Sequence, residues 1–130
     1  MIRTRDCDQN TRRGRMVKAH EYLQAALIID ALAETDLHMI DAYITICVHA
    51  GIAASDVICS SRLGKHAVGE RHVEAIALLE QVDTTMAKHL DVLLKQKTRS
   101  GYSSTLSNAA SKKQASRAAK ALVDFAASLT

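Results

Sequence analysis

The residues best suited to do chemistry lie in one stretch. His49 and Asp56 stand seven residues apart in His49-Ala-Gly-Ile-Ala-Ala-Ser-Asp56. That is about two turns of a helix, so both side chains fall on one face. Cys59 follows, then the basic loop Arg62-Leu-Gly-Lys-His-Ala-Val-Gly-Glu-Arg-His72, which holds His66 and His72. A histidine beside an acid can serve as general acid or base near neutral pH. The same residues have a structural reading, which is the simpler one. Polar groups on an otherwise apolar helix need partners, and Asp56 can hold the loop by accepting backbone N–H bonds or by pairing with Lys65, Arg71 or His72. The expected polar network is therefore His49, Asp56, Lys65, Arg71 and His72.

Other chemistries find less support. The sequence contains no Gly-rich phosphate loop, no His-Glu-x-x-His and no nucleophile elbow. His66, Glu70 and His72 are close in sequence, but no adjacent pair of carboxylates completes a metal site. A carboxylate-bridged bundle site needs Glu-x-x-His, and Glu70-Arg-His72 is one residue short. Neither a metal nor a cofactor is expected. Cys7, Cys47 and Cys59 are odd in number and lack metal-ligand spacing, which suits reduced thiols in the cytoplasm. The start, Met1-Ile-Arg-Thr-Arg-Asp, lacks the apolar block of a secretory signal. Apolar runs are broken by Asp30, His49 or Asp56, so no membrane span is expected.

The net charge of +3 is unevenly distributed. Residues 1–18 carry six bases and two acids, net +4; residues 19–91 carry four bases and eleven acids, net −7; residues 92–130 carry seven bases and one acid, net +6. One reading is a solvated surface with attraction between parts of the fold. The functional reading is a basic face that meets phosphates, formed by Lys95, Lys97, Arg99, Lys112, Lys113 and Arg117. A third is a basic tail held by an acidic partner protein. Tyr102 could stack on a base in this region, although packing between the last two helices is its simpler role.

The elements that must position these residues are helical. Pro is absent, Gly is scarce, and Ala and Leu are abundant. Residues 1–14 show no apolar periodicity and read as a flexible basic arm, followed by one domain over 15–130. A first helix is expected over 15–33, with Tyr22, Ala25, Ala26, Ile29 and Leu32 inward. A second, capped by Thr35 or Asp36, spans about 37–60; it is apolar nearly all round and should be central. Gly51 within it suggests close approach by a neighbouring helix. Gly64 and Gly69 break the chain in the loop 61–70. A short third helix spans about 70–82, and Asp83 or Thr84 caps a fourth with Met86, Leu90, Leu93 and Leu94 inward. Residues 98–110 form a Ser-rich connection, and Ser111-Lys-Lys-Gln114 reads as a capping box opening the last helix. The fold class is all-α, an antiparallel bundle of about five helices. The small residues Ala115, Ala118, Ala119 and Ala126 suggest a stripe for close approach in a homodimer.

The stretches Ala50-Gly-Ile-Ala-Ala-Ser-Asp56, Leu63-Gly-Lys-His66, His72-Val-Glu-Ala-Ile-Ala-Leu-Leu79 and Leu94-Lys-Gln-Lys-Thr-Arg-Ser-Gly-Tyr102, with the Ala-rich last helix, resemble a small HEPN domain over roughly residues 16–130. The resemblance implies a four- or five-helix bundle that dimerises. Many HEPN domains are metal-independent RNases, often toxins of toxin–antitoxin pairs or parts of anti-phage systems; others have lost catalysis and act as binding modules. The family's catalytic signature is Arg, four to six residues, then His. Here the corresponding region reads Lys97-Thr-Arg-Ser-Gly-Tyr102, and no histidine follows Arg99. A literal Arg15-x4-His20 falls at the start of the first helix and reads as coincidence.

Three functions are therefore expected in order. The first is a non-catalytic HEPN-like domain binding RNA, a nucleotide or a protein partner such as an antitoxin. The second is an RNase with a divergent site drawn from Lys97, Arg99, Tyr102, His66 and His72. The third is a helical assembly protein unrelated to nucleic acid.

Overall fold

A computed structural model describes residues 1–69 and 71–130 of the chain. The elements run β1 (Thr4–Asp6), α1 (Gln9–Leu32), α2 (Ile40–Leu63), β2 (Lys65–Ala67), α3 (His72–Glu80), α4 (Thr84–Gly101) and α5 (Ala109–Ser128). Among the described residues the fold is thus an all-helical bundle of five helices with one short two-stranded ribbon.

α2 is the hub, as its all-round apolar character requires. Fourteen of its 24 residues are buried, and it packs against the other four helices and β2. α2 is long and apolar enough to cross a membrane, yet 67% of its most apolar window is buried inside the bundle, so that surface faces protein. A methyl group added at Gly51 would overlap Leu93 of α4 and press on Leu122 of α5. The missing side chain is what lets those helices close on α2. Gly64 ends α2 in a left-handed conformation, φ 72°, and its N–H bonds the Ser60 carbonyl, the usual way glycine satisfies a helix C-terminus.

The arm expected to be flexible over 1–14 is folded. β1 pairs antiparallel with β2, Thr4 opposite Ala67, Arg5 opposite His66 and Asp6 opposite Lys65. Cys7 is buried, and its N–H donates to the Gly64 carbonyl at 3.0 Å. α1 begins at Gln9, where the Asp8 carboxylate caps it by accepting from Thr11 N–H at 2.7 Å. The arm's order comes from backbone pairing with residues some sixty positions away, which local apolar periodicity does not register.

Several boundaries also move. The cap of α2 is Met39, left-handed at φ 56° and without a side-chain bond, rather than Thr35 or Asp36. The Ser-rich connection is shorter than 98–110, because α4 continues through Gly101. Its remainder is anchored where Ser107 N–H donates to Asp41 at 3.2 Å. Asn108 caps α5 through Ser111 N–H at 2.9 Å, so Ser111 lies in the first turn rather than at the cap. Asp83 caps α4 as expected, accepting from Met86 N–H at 2.9 Å. α3 starts at His72, and Glu70, the expected start, lies outside the described residues.

Ala115, Ala118, Ala119 and Ala126 are all buried within the chain, where α5 packs on α2 and α4. The small-residue stripe that suggested a dimer contact is consumed by the bundle's own core. On α1, Ala26 is buried and Tyr22 and Ile29 pack on the core, but Leu32 is 75% exposed.

The close approach at Gly51 yields a stability prediction. Gly51→Val should lose about 1–3 kcal/mol, the usual range for overpacking a core, because its branched side chain meets Leu93 and Leu122. Gly51→Ala should cost less, since the Leu93 side chain can rotate away and alanine improves helix propensity. Urea denaturation of the two variants measures both.

Candidate anion-binding cleft

A cavity of about 380 Å3 opens where the ribbon, α2, α3 and α4 converge. Ser55, Asp56 and Cys59 of α2 form one wall, Arg5 and His66 come from the ribbon, Arg71 and His72 from the start of α3, and Lys97 from α4. Ile52, Ala75, Leu90 and Leu94 supply its apolar lining. The ribbon register explains one pair: Arg5 sits directly opposite His66, and directly opposed residues of an antiparallel pair project to the same face.

Asp56 organises the cleft. Arg15 Nε of α1 donates to Asp56 Oδ2 at 3.0 Å, and His66 Nδ1 lies 3.9 Å from Asp56 Oδ1. Burial pushes the Asp56 carboxyl above its ordinary value; Arg15 and His66 act in the opposite direction. His66 Nδ1 is also 3.0 Å from the Ala67 carbonyl. In the neutral ring, a proton on Nδ1 serves that carbonyl and leaves Nε2 as the basic nitrogen. The expected hydrogen bond from Asp56 to the 62–72 loop is not formed among the described residues; the loop residue beside it is His66, at 3.9 Å. Lys65, Arg71 and His72 are not its ion-pair partners among the described residues; Arg71 pairs with Glu74 at 3.6 Å instead.

His49 does not belong to this network. Seven residues give one helix face but also about 10.5 Å of rise, too far for contact with Asp56. His49 is exposed, its ring packs on Tyr22 with centroids 5.6 Å apart, and it lines a second depression of about 130 Å3 with Thr45, Lys97, Ser100 and Tyr102. Although the residue is exposed overall, its ring is partly shielded from water; that shielding, then Lys97 and Arg15, hold its pKa below the usual histidine value, which favours the neutral ring at pH 7.

The expected catalytic residues divide. His66, His72 and Lys97 share the cleft, and Tyr102 meets Lys97 only in the second depression. Arg99 is exposed and lines neither. Tyr102 is 80% exposed rather than packed between helices. Cys59 faces the cleft, but burial pushes its thiol up to about 12, so it offers almost no thiolate near neutrality. Among the described residues no group of three His, Cys, Asp or Glu side chains is placed to hold a metal; Glu70 lies outside them.

The expected basic face is not continuous. Lys112 is buried, its Nζ 2.7 Å from Asp30 Oδ1 and 5.1 Å from the Tyr43 ring centre, and cannot meet a phosphate without breaking that pair. Lys95 pairs with Asp91 at 2.9 Å. Lys113 and Arg117 are exposed beside Asp30 and Asp36, in a depression that shares no lining residue with the cleft. Asp91, just before the run, and Asp30 and Asp36, distant in sequence, interrupt a charge run that looked unbroken along the chain. Sequence reasoning missed Arg5 and the part played by Arg15. Both lay in or beside the presumed arm, and only its basic composition hinted at them.

No protein-family model, curated protein or solved structure matches this chain.

The ribbon is clasped to α3 by Arg3, whose backbone N–H donates to Glu74 Oε1 at 2.8 Å while its guanidinium lies 3.3 Å from the same oxygen. The Arg3 backbone bond, then its side chain, hold the Glu74 carboxyl below its ordinary 4.5. A depressed carboxylate contributes stability above its unfolded pKa and loses it as pH falls through the folded value. The stability gap between wild type and Glu74→Gln should therefore be full above pH 4.5 and close on further acidification, as urea denaturation across that range would measure. Arg15→Met should cost about 1–3 kcal/mol at neutral pH by leaving Asp56 under-paired, read from the same denaturation experiment.

Proposed function

We propose that this chain is a HEPN-like helical domain that binds a phosphate-bearing ligand, RNA or a nucleotide, in the α2–α3–α4 cleft without cleaving it. One observation carries the reading: the cleft collects cationic and imidazole side chains against little negative charge. Arg5, Arg71, Lys97, His66 and His72 line it, and among the described residues Asp56 is its only carboxylate. Asp56 is already engaged by Arg15, and no described acid pairs with Arg5 or Lys97. A partly enclosed cavity strengthens attraction between such cations and a phosphate. The missing histidine after Arg99 and the inert Cys59 thiol support binding over cleavage.

A divergent metal-independent RNase is the second reading, favoured by one specific feature. His66 is held at Nδ1 by the Ala67 carbonyl and lies beside Asp56, in the same cavity as Lys97. Its Nε2 would take the proton of a ribose 2′-hydroxyl while Lys97 and Arg5 neutralise the phosphate. Chelator-insensitive RNA cleavage, abolished by His66→Ala with binding intact, would replace the first reading with this one.

The homodimer, a protein partner such as an antitoxin, and a place in a toxin–antitoxin or anti-phage system belong to the same proposal. The three free buried thiols suit a reducing cytoplasm. Light scattering that gives a monomer mass would remove the dimer.

RNA titrations at two salt concentrations test the binding itself. Lys97→Ala and Arg5→Ala should each weaken binding and reduce the magnitude of the salt slope by roughly 0.7–0.9 for each phosphate no longer neutralised. Lys112→Ala should leave the slope unchanged. Undetectable wild-type binding at low salt would remove the reading in favour of an assembly protein unrelated to nucleic acid.

A further inference from the structure

Lys97 occupies an unusual place: it lines both the cleft and the smaller depression beside it. The two hollows are therefore adjoining, with a cation at their junction. The smaller one is bordered by Tyr102, and this ring is exceptional in the chain. Tyr43 is buried, Tyr22 and Phe125 pack on the core, and Tyr102 is 80% exposed. An aromatic ring left open beside a hollow offers a stacking surface for another planar group. The hollow itself, about 130 Å3, has the room of roughly four waters. The residues that line it include Thr45, Ser100 and His49. A neutral imidazole can both donate and accept along a base edge.

We infer that the ligand is a single-stranded oligonucleotide spanning both hollows, one phosphate held in the cleft by Lys97 and Arg5 and a neighbouring base stacked on Tyr102 over the depression lined by His49. This rests on the phosphate-binding reading above and adds to it a base subsite and a strandedness. A duplex does not satisfy the arrangement, because its bases are already stacked on one another and do not present a free face. A lone phosphate fills only the cleft. A deoxyribose or ribose strand supplies the same two groups.

Fluorescence anisotropy on the full chain tests this, using short labelled oligouridine, its deoxyribose counterpart and a blunt RNA duplex, with inorganic phosphate as competitor. Tyr102 is exposed, so its substitution should leave the melting temperature unchanged. Tyr102→Ala should weaken single-strand binding by about thirtyfold, the middle of the range for losing one base stack. Tyr102→Phe should retain it, and Tyr102→Ala should leave the inhibition constant of phosphate unaltered. Lys97→Ala should weaken both strand and phosphate. Binding of either sugar supports the proposal, and the ratio between the two identifies the natural strand. Undiminished affinity in Tyr102→Ala, or a duplex bound as tightly as the single strand, would overturn the base subsite while leaving the phosphate site standing. A wild type that binds neither strand nor phosphate would overturn both.

Discussion

Burying α2 on nearly every side places a carboxylate, Asp56, where water cannot fully solvate it. A buried charge without partners is costly enough to unfold or neutralise the site, so the fold has to bring cations to it. Arg15 comes from α1 and His66 from the ribbon, and these contacts draw α1 and the ribbon onto the same end of the central helix. The cleft is what remains between the elements so gathered. Its charge follows from the same constraint: among the described residues its one acid is engaged by Arg15, Arg71 is shared with Glu74, and Arg5 and Lys97 have no acid partner.

The distribution of charge along the chain acquires a meaning in this light. Arg3 and Arg15 from the basic start pair with Glu74 and Asp56 of the acidic middle, and Lys112 from the basic end pairs with Asp30. Attraction between parts of the fold explains these bases. The partners are separated by 71, 41 and 82 positions respectively; the first and last pairs tie together elements that the backbone does not join directly, and the second pins the far ends of consecutive α1 and α2. Such partly exposed pairs are modest in energy. Their effect is to fix which ends meet which faces.

What was legible in the sequence was whatever depends on local pattern. The apolar surround of α2, the glycine at its tightest crossing, the cap at Asp83 and the count of helices follow from periodicity and propensity. What was hidden depends on contacts between distant residues. The ribbon is held by pairing with a strand of three residues, too short for an alternation pattern to show. Arg15 looked like part of a chance motif with His20, yet it is the principal partner of Asp56. His49 and Asp56 were joined by angular position alone, and the rise along the helix separates them. For the cleft, His66, His72 and Lys97 were readable as chemistry-bearing types, whereas Arg5 could be placed only once the ribbon register was known.

The three free thiols are graded by what covers them. Cys47 and Cys59 lie in the central helix, fully enclosed, with pKa values pushed to about 11 and 12 by burial. Cys7 is sealed by much less: its carbonyl accepts from the Ser60 hydroxyl at 3.4 Å, its N–H reaches the Gly64 carbonyl, and the ribbon lies beside it. Peeling back the ribbon would uncover Cys7 while the bundle stays intact, and would open the cleft that Cys59 borders; Cys47 borders no such cleft and waits for opening of the bundle. The chain thus carries its own two-speed clock, in which alkylation of Cys7 times the fraying of one edge and alkylation of Cys47 times the lifetime of the whole fold.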